Sequence, residues 1–261
     1  AEVVDGPFLG YTGDADQKEA ILATKIDKNT TITANFLDFN NGLVAYYPFN
    51  GNANDESGNG NDGTVNGATL AADRNGETGK AYSFDGENDF IDLTTAKWGI
   101  EGNSARSIFA WVKTTHGQNF GMAIFSSGTT ANSQAFNIVS YLGILGIMGY
   151  DNDLYPNTGI KYNDGVWHLV GVVHDGNKVA TYVDANIDNV ATKTYNTKGQ
   201  KNYIGLQNHI MGGFFDGQID DVRIYNRALS EAEVATLYAA ESEASKTYEA
   251  GTEITLSATP E

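Results

Sequence analysis

The chain has 261 residues, with 33 acidic against 16 basic side chains and a formal net charge of −17. That balance excludes a duplex- or RNA-binding role, which needs a basic patch for phosphate, and anionic membrane surfaces would repel the chain for the same reason. Apolar residues make up 41% of the chain and suffice for a core; cysteine is absent, which removes disulfides, thiolate metal sites and cysteine nucleophiles together.

In chain order, Ala1-Glu2-Val3-Val4 lacks a positive n-region and an apolar h-region, so any signal peptide is expected upstream. No apolar run approaches the roughly 20 residues that a membrane helix needs, and no membrane insertion is expected. Gly, Asn and Asp recur in clusters at Asn50-Gly51-Asn52, Ser57 to Gly63, Asp85-Gly86, Asp164-Gly165 and Asp175-Gly176-Asn177. Between them lie short runs rich in Val, Ile, Tyr, Phe and Thr, the spacing of turns between strands in a sandwich or barrel. Ser107 to Lys113 is apolar on both faces and reads as an inner strand. Trp167–His174 and Lys178–Val183 flank Asp175-Gly176-Asn177 as a hairpin. In Gly217–Tyr225, strict alternation puts Asp220, Val222 and Ile224 on one face. An acid aligned with two aliphatics is costly to bury unpaired, so Asp220 should meet a cation or hydrogen-bond donors. One helix follows: Ser230 and Glu233 form a capping box, Leu229 and Val234 a hydrophobic staple, and Val234, Leu237 and Tyr238 a docking stripe.

Several of these segments occur together in one known family. Gly42-Leu43-Val44-Ala45-Tyr46-Tyr47-Pro48-Phe49-Asn50 and Asp55 to Thr64 resemble the opening of the laminin-G-like, concanavalin A-like lectin/glucanase domain. Phe84-Asp85-Gly86 with Asp89-Phe90-Ile91, Ala110-Trp111-Val112, Trp167-His168-Leu169-Val170, and Gly217 to Ser230 are similar to its later landmarks, in order. The resemblance covers roughly residues 41–240 and implies an all-β fold: a two-sheet antiparallel jelly-roll sandwich with one short C-terminal helix. It also implies a secreted or cell-surface location and, often, calcium. The flanks resemble something else. Residues 1–40 are similar to the C-terminal part of a small β repeat of bacterial surface proteins, and residues 241–261 to the N-terminal part of the same repeat. The chain is therefore expected to begin inside one repeat and stop inside another, and the two parts to pair with each other or with neighbouring repeats of the same protein; ordinary β extensions of the main domain are the alternative.

The segment Asn50–Asp62 is too polar to be core and offers carboxylate, amide and carbonyl oxygens of the kind calcium takes six to eight of. An EF-hand loop starting at Asn50 would put Asp55 where Gly is required and Asn61 where Glu is required. By resemblance, Asp55 and the carbonyls around Gly58 and Asn61 would join Asp220 around a structural calcium; a solvated turn is the alternative. A second acidic loop, Asp151-Asn152-Asp153, stands between Tyr150 and Tyr155. Tyr150, Asp151, Asp153 and Tyr155 are candidate glycan contacts, the aromatic ring for a pyranose face and the acids for hydroxyls, with a solvated hairpin loop as the alternative. Trp111 and Trp167 read as core, and Trp98 as more open.

No catalytic residues are assigned. Retaining glucanases of the resembled superfamily carry two carboxylates on one strand, about 5 Å apart, in an E-x-D-x-x-E arrangement. Glu87-Asn88-Asp89-Phe90-Ile91-Asp92 comes close but ends in Asp. The four histidines show no metal-ligand spacing, and no G-x-S-x-G elbow occurs. The resembled fold hosts lectins, adhesins, spacers and glycosidases alike, and the first reading is a noncatalytic, calcium-stabilised glycan-binding or adhesive module of a multidomain protein, with polysaccharide as partner. A spacer or protein-contact module is the second reading and a glycoside hydrolase the third.

Overall fold

A computed structural model describes residues 38–117, 121–155, 159–199, 201–207 and 213–242. The repeat parts expected in residues 1–40 and 241–261 fall almost wholly outside the described residues. In chain order the strands are β1 (Leu43–Tyr47), β2 (Thr64–Asn66), β3 (Thr69–Ala72), β4 (Thr78–Asp85), β5 (Phe90–Asp92), β6 (Arg106–Lys113) and β7 (Met122–Gly128). They continue as β8 (Ala135–Tyr141), β9 (Ile144–Met148), β10 (His168–His174), β11 (Lys178–Val183), β12 (Asn186–Thr192), β13 (Tyr203–Ile204) and β14 (Asp216–Tyr225). One helix, α1 (Glu231–Ser242), follows among the described residues.

The strands form two antiparallel sheets. The larger runs β12-β11-β10-β6-β14-β4-β3, with β1 also paired to β14; the smaller runs β2-β5-β13-β7-β8-β9. This is a jelly-roll sandwich. Strand β6 lies between β10 and β14 and is buried at seven of its eight residues, which is why its sequence is apolar in both phases. The core between the sheets takes Ile108, Ala110 and Val112 from β6, Val170 and Val172 from β10, and Phe136, Ile138, Leu145 and Ile147 from β8 and β9. First and last strands are neighbours: Leu43 pairs with Tyr225 and Tyr47 with Val222.

Local chemistry explains the turns. Asp175 Oδ1 accepts the Asn177 and Lys178 N–H groups at 2.7 and 2.6 Å, and Gly176 takes a φ of 97° between them, closing the β10–β11 hairpin. The capping box of α1 is formed: Ser230 N–H donates to Glu233 Oε2 at 2.7 Å and Glu233 N–H to Ser230 Oγ at 3.3 Å. Leu229, Val234 and Leu237 are all buried.

One expectation fails. A bulge between Asp220 and Arg223 breaks the alternation of β14, with Asp221 at a φ of 45°. Ile219, Val222 and Ile224 enter the core, while Asp220 pairs with Trp111 on the opposite face. Asp220 and Val222 therefore do not share a face.

Candidate functional site

Asp55 organises the loop after β1. Its Oδ1 accepts the Tyr46 and Ser57 N–H groups and its Oδ2 the Asn61 N–H, all at 2.9 Å. Asn61 is engaged on every side. Its carbonyl accepts the Tyr47 hydroxyl at 2.6 Å, its Oδ1 accepts Lys97 N–H at 2.8 Å, and its Nδ2 donates to Val44 O at 2.9 Å. Gly58 turns the loop at a φ of 85°.

Asp220 has other partners. Its carboxylate lies 3.2 Å from Arg74 Nη1, which also reaches Asp221 Oδ2 at 2.5 Å. The Asp220 Oδ1 accepts the Asp221 N–H at 2.8 Å, and the Tyr46 hydroxyl donates to Asp221 Oδ1 at 2.6 Å. The Arg74 guanidinium lies 4.8 Å over the Trp111 ring, and Arg223 lies 4.0 Å over that of Tyr46. Burial, and then the neighbouring Asp221, push the Asp220 carboxyl well above the ordinary carboxylate range, against the pull of Arg74. Asp220 thus finds the cation that its burial demands, and it is an arginine.

The donor set does not fit a calcium shared by Asp55, Gly58, Asn61 and Asp220. Calcium asks for six to eight oxygens. Both oxygens of Asn61 and three acceptor positions of Asp55 serve protein donors, and Asp220 faces a guanidinium. Among the described residues no group of three or more His, Asp or Glu stands where it could hold a metal ion.

The second expected site forms a folded-back loop after β9. Ile147 and Leu154 exchange backbone hydrogen bonds at 2.9 and 2.8 Å, and Tyr150 and Asp151 both take a φ of 60° to make the bend. The Asp153 Oδ1 accepts the Gly149 N–H at 2.8 Å, while Lys193 Nζ donates to the Asp153 carbonyl at 2.9 Å. Asp153 therefore holds the loop together, and Asp151 remains exposed. Tyr155 pairs with Tyr141, ring centroids 4.8 Å apart and tilted by 42°. Tyr141 follows the alternation that sends Phe136 and Ile138 into the core, so it faces the other way. Both tyrosines are half-buried. Sequence reading missed Tyr141, because it stands one strand away in the β8–β9 hairpin.

Other aromatic and acidic candidates resolve into structure. Trp98 is 8% exposed and packs on Phe125, so it is not open as expected; Trp111 is buried beneath Arg74, and Trp167 is only partly buried. Asp89, within the glucanase-like segment, accepts the Asp85 N–H at 3.1 Å and serves the turn.

His168 is clamped between two acids, Nδ1 at 2.6 Å from Asp184 Oδ2 and Nε2 at 3.1 Å from Asp164 Oδ1. Burial lowers its proton affinity, but the bonds to Asp184 and Asp164 outweigh burial and the net shift is upward. A folded value above the unfolded one, about 6.5, gives stability that is complete below the unfolded value and lost as pH rises through the folded value. Chemical denaturation from pH 5.5 to 9 is expected to show this loss in the wild type and a flatter profile in His168→Ala; equal slopes would refute the clamp.

A laminin-G-type family model, described as concanavalin A-like lectin/glucanases superfamily, matches residues 85–235. The chain belongs to this superfamily. Among solved structures, domain 4 of AbnA, a GH43 extracellular arabinanase from Geobacillus stearothermophilus in complex with arabinotriose, is 25% identical. That likeness covers 75% of this chain and 98% of that one, with a TM-score of 0.60. The binding domain of Paraclostridial Mosquitocidal Protein 1 is 16% identical over 76% of this chain and 52% of its own, with a TM-score of 0.61. The botulinum neurotoxin serotype G binding domain is 18% identical over 77% and 51%, with a TM-score of 0.56. The chain spans about half the length of these two toxin chains, and the likeness to them is one of fold. A comparison with curated proteins found no match.

Proposed function

We propose that this superfamily member is a noncatalytic glycan-binding module of a secreted or cell-surface multidomain protein. The observation that carries the reading is its likeness to an arabinotriose-bound domain over 98% of that domain's length. The half-buried Tyr141–Tyr155 pair supports it, because two tilted rings at a surface offer an apolar face to a sugar ring and a hydroxyl to its edge. Among the described residues no helix is long and apolar enough to cross a membrane. The positive charge beside Asp220 is supplied from within the chain by Arg74, so the reading requires no calcium step.

Binding of the full chain to arabinan, xylan and β-glucan, measured by affinity gel electrophoresis alongside a reducing-sugar assay, tests the proposal. Saturable retardation by at least one polysaccharide without sugar release is the expected outcome. Tyr155→Ala should weaken it about tenfold, a loss of about 1.4 kcal/mol. No binding across the panel would favour the spacer reading, and release of reducing sugar would establish a hydrolase.

A further inference from the structure

A concavity lies where β6 ends and β14 begins. It has a volume of about 240 Å³ and is lined by Lys113, Thr115, His116, Gly165, Asp216 and Gln218, together with Thr114 and Gly217. None of these residues belongs to the sites described above. Gln218 stands opposite Lys113 in the ladder, so their side chains lie side by side on one face of the larger sheet. His116 Nδ1 is 3.1 Å from Asp216 Oδ2, and this pair is open to solvent, the His side chain at 52% and the Asp side chain at 29%.

The walls are held in place before any ligand arrives. The Thr114 hydroxyl, on a residue 3% exposed, donates to the Asp216 carbonyl at 2.6 Å and accepts the His116 N–H at 2.9 Å. Thr114 also binds the far wall, its carbonyl accepting Gly165 N–H at 3.0 Å. Gly217 takes a φ of 145°, and a Cβ there would stand 2.4 Å from the Lys113 carbonyl oxygen, so the close strand approach beside the cleft needs glycine.

We propose that this cleft is a saccharide subsite that takes a vicinal diol of the glycan, an assignment that rests on the glycan-binding reading above. A hydroxyl both donates and accepts, so it is best held where fixed donors and acceptors alternate at hydrogen-bonding distance from one another. The Asp216 carboxylate accepts from two adjacent hydroxyls. The Lys113 ammonium and the Gln218 amide donate to their oxygens, and with Nδ1–H turned to Asp216, the other ring nitrogen of His116 accepts. One ammonium against one carboxylate leaves the set near neutral, which suits an uncharged sugar rather than an anion. With two candidate ligands, His116 and Asp216, the cleft falls short of the three or four protein ligands of a typical transition-metal site.

The test is calorimetric titration of the full chain and of Asp216→Asn, Gln218→Ala and Lys113→Met with arabinotriose, xylotriose and cellotriose, with melting curves to verify folding. The expected result is wild-type binding of at least one trisaccharide and a Kd at least about tenfold weaker in each folded variant, as for the loss of a hydrogen bond involving a charged or fixed polar group. Wild-type binding that all three variants retain overturns the subsite and leaves the glycan reading standing. Absence of wild-type binding to every trisaccharide and to the polysaccharide panel overturns that reading, and the subsite with it. Should Asp216→Asn fail to fold, the other two variants decide the matter.

Discussion

Replacing Arg74 with alanine is expected to lower the unfolding free energy by about 3–5 kcal/mol, the cost of removing one partner from a buried ion pair. The side chains concerned are 12% exposed at Arg74, 3% at Asp220 and 11% at Asp221, so water cannot readily take over the guanidinium's part. The loss should depend on pH, and the sign follows from Asp220. Its folded carboxyl binds a proton more tightly than an unfolded one, so folded chains hold more protons across the interval between the two values, and stability falls as pH rises through it. Without Arg74 that interval widens. The gap between wild type and variant should therefore narrow as pH is lowered toward the unfolded carboxylate value of about 3.9. Arg74→Lys keeps a charge but loses the planar contact with Trp111, and should fall between the two. A loss below about 1 kcal/mol, unchanged with pH, would show that the pair sets no part of the stability.

The second large effect is expected at Asp55. Asp55→Ala deprives three backbone N–H groups, of Tyr46, Ser57 and Asn61, of their acceptor at once. An unmet buried donor costs about 1–3 kcal/mol, so a loss of about 3 kcal/mol or more in chemical denaturation is expected, with water at the loop rim relieving the rest. Asp55→Asn, which retains one acceptor oxygen, should cost about half as much. The same preparation answers the calcium question. With the oxygens of Asp55 and Asn61 engaged by protein donors and Asp220 facing Arg74, the melting temperature should be equal in calcium and in chelator. A chelator-dependent drop of several degrees would place a cation in the Asn50–Asp62 loop after all.

Much of this architecture was legible because it is written in local chemistry. The capping box at Ser230, the Asp175-Gly176-Asn177 turn and the doubly apolar β6 each depend on residues within a few positions of one another. The demand for a cation at Asp220 was also legible, since any buried acid makes it, although the acid stands opposite Trp111 and not among the aliphatics that suggested its burial. Its source was not. Arg74 lies 146 positions away and reaches Asp220 only because a bulge at Asp221 turns that stretch of β14 over. Alternation cannot foresee a bulge whose left-handed residue is an aspartate rather than a glycine. The Tyr150–Tyr155 segment could be read as an acidic loop, but its acids and aromatics could not be divided by role. Asp153 turned inward to Gly149, and Tyr155 found a partner in Tyr141 across the β8–β9 hairpin. The Lys113–Gln218 cleft depends on strand register and on a threonine hydroxyl bridging two walls, and neither carries a motif.

The most direct test of the central claim is an amide nitrogen–proton NMR map of the full chain, titrated with the tightest-binding oligosaccharide of the panel. A glycan-binding module predicts saturable shifts clustered at Tyr141, at Tyr155 and around Lys113, His116 and Gln218, with the amides of Asn50–Asp62 unmoved and the sugar recovered intact. A spectrum unchanged by every sugar, or shifts centred on Glu87–Asp92 with the oligosaccharide cleaved, would contradict it.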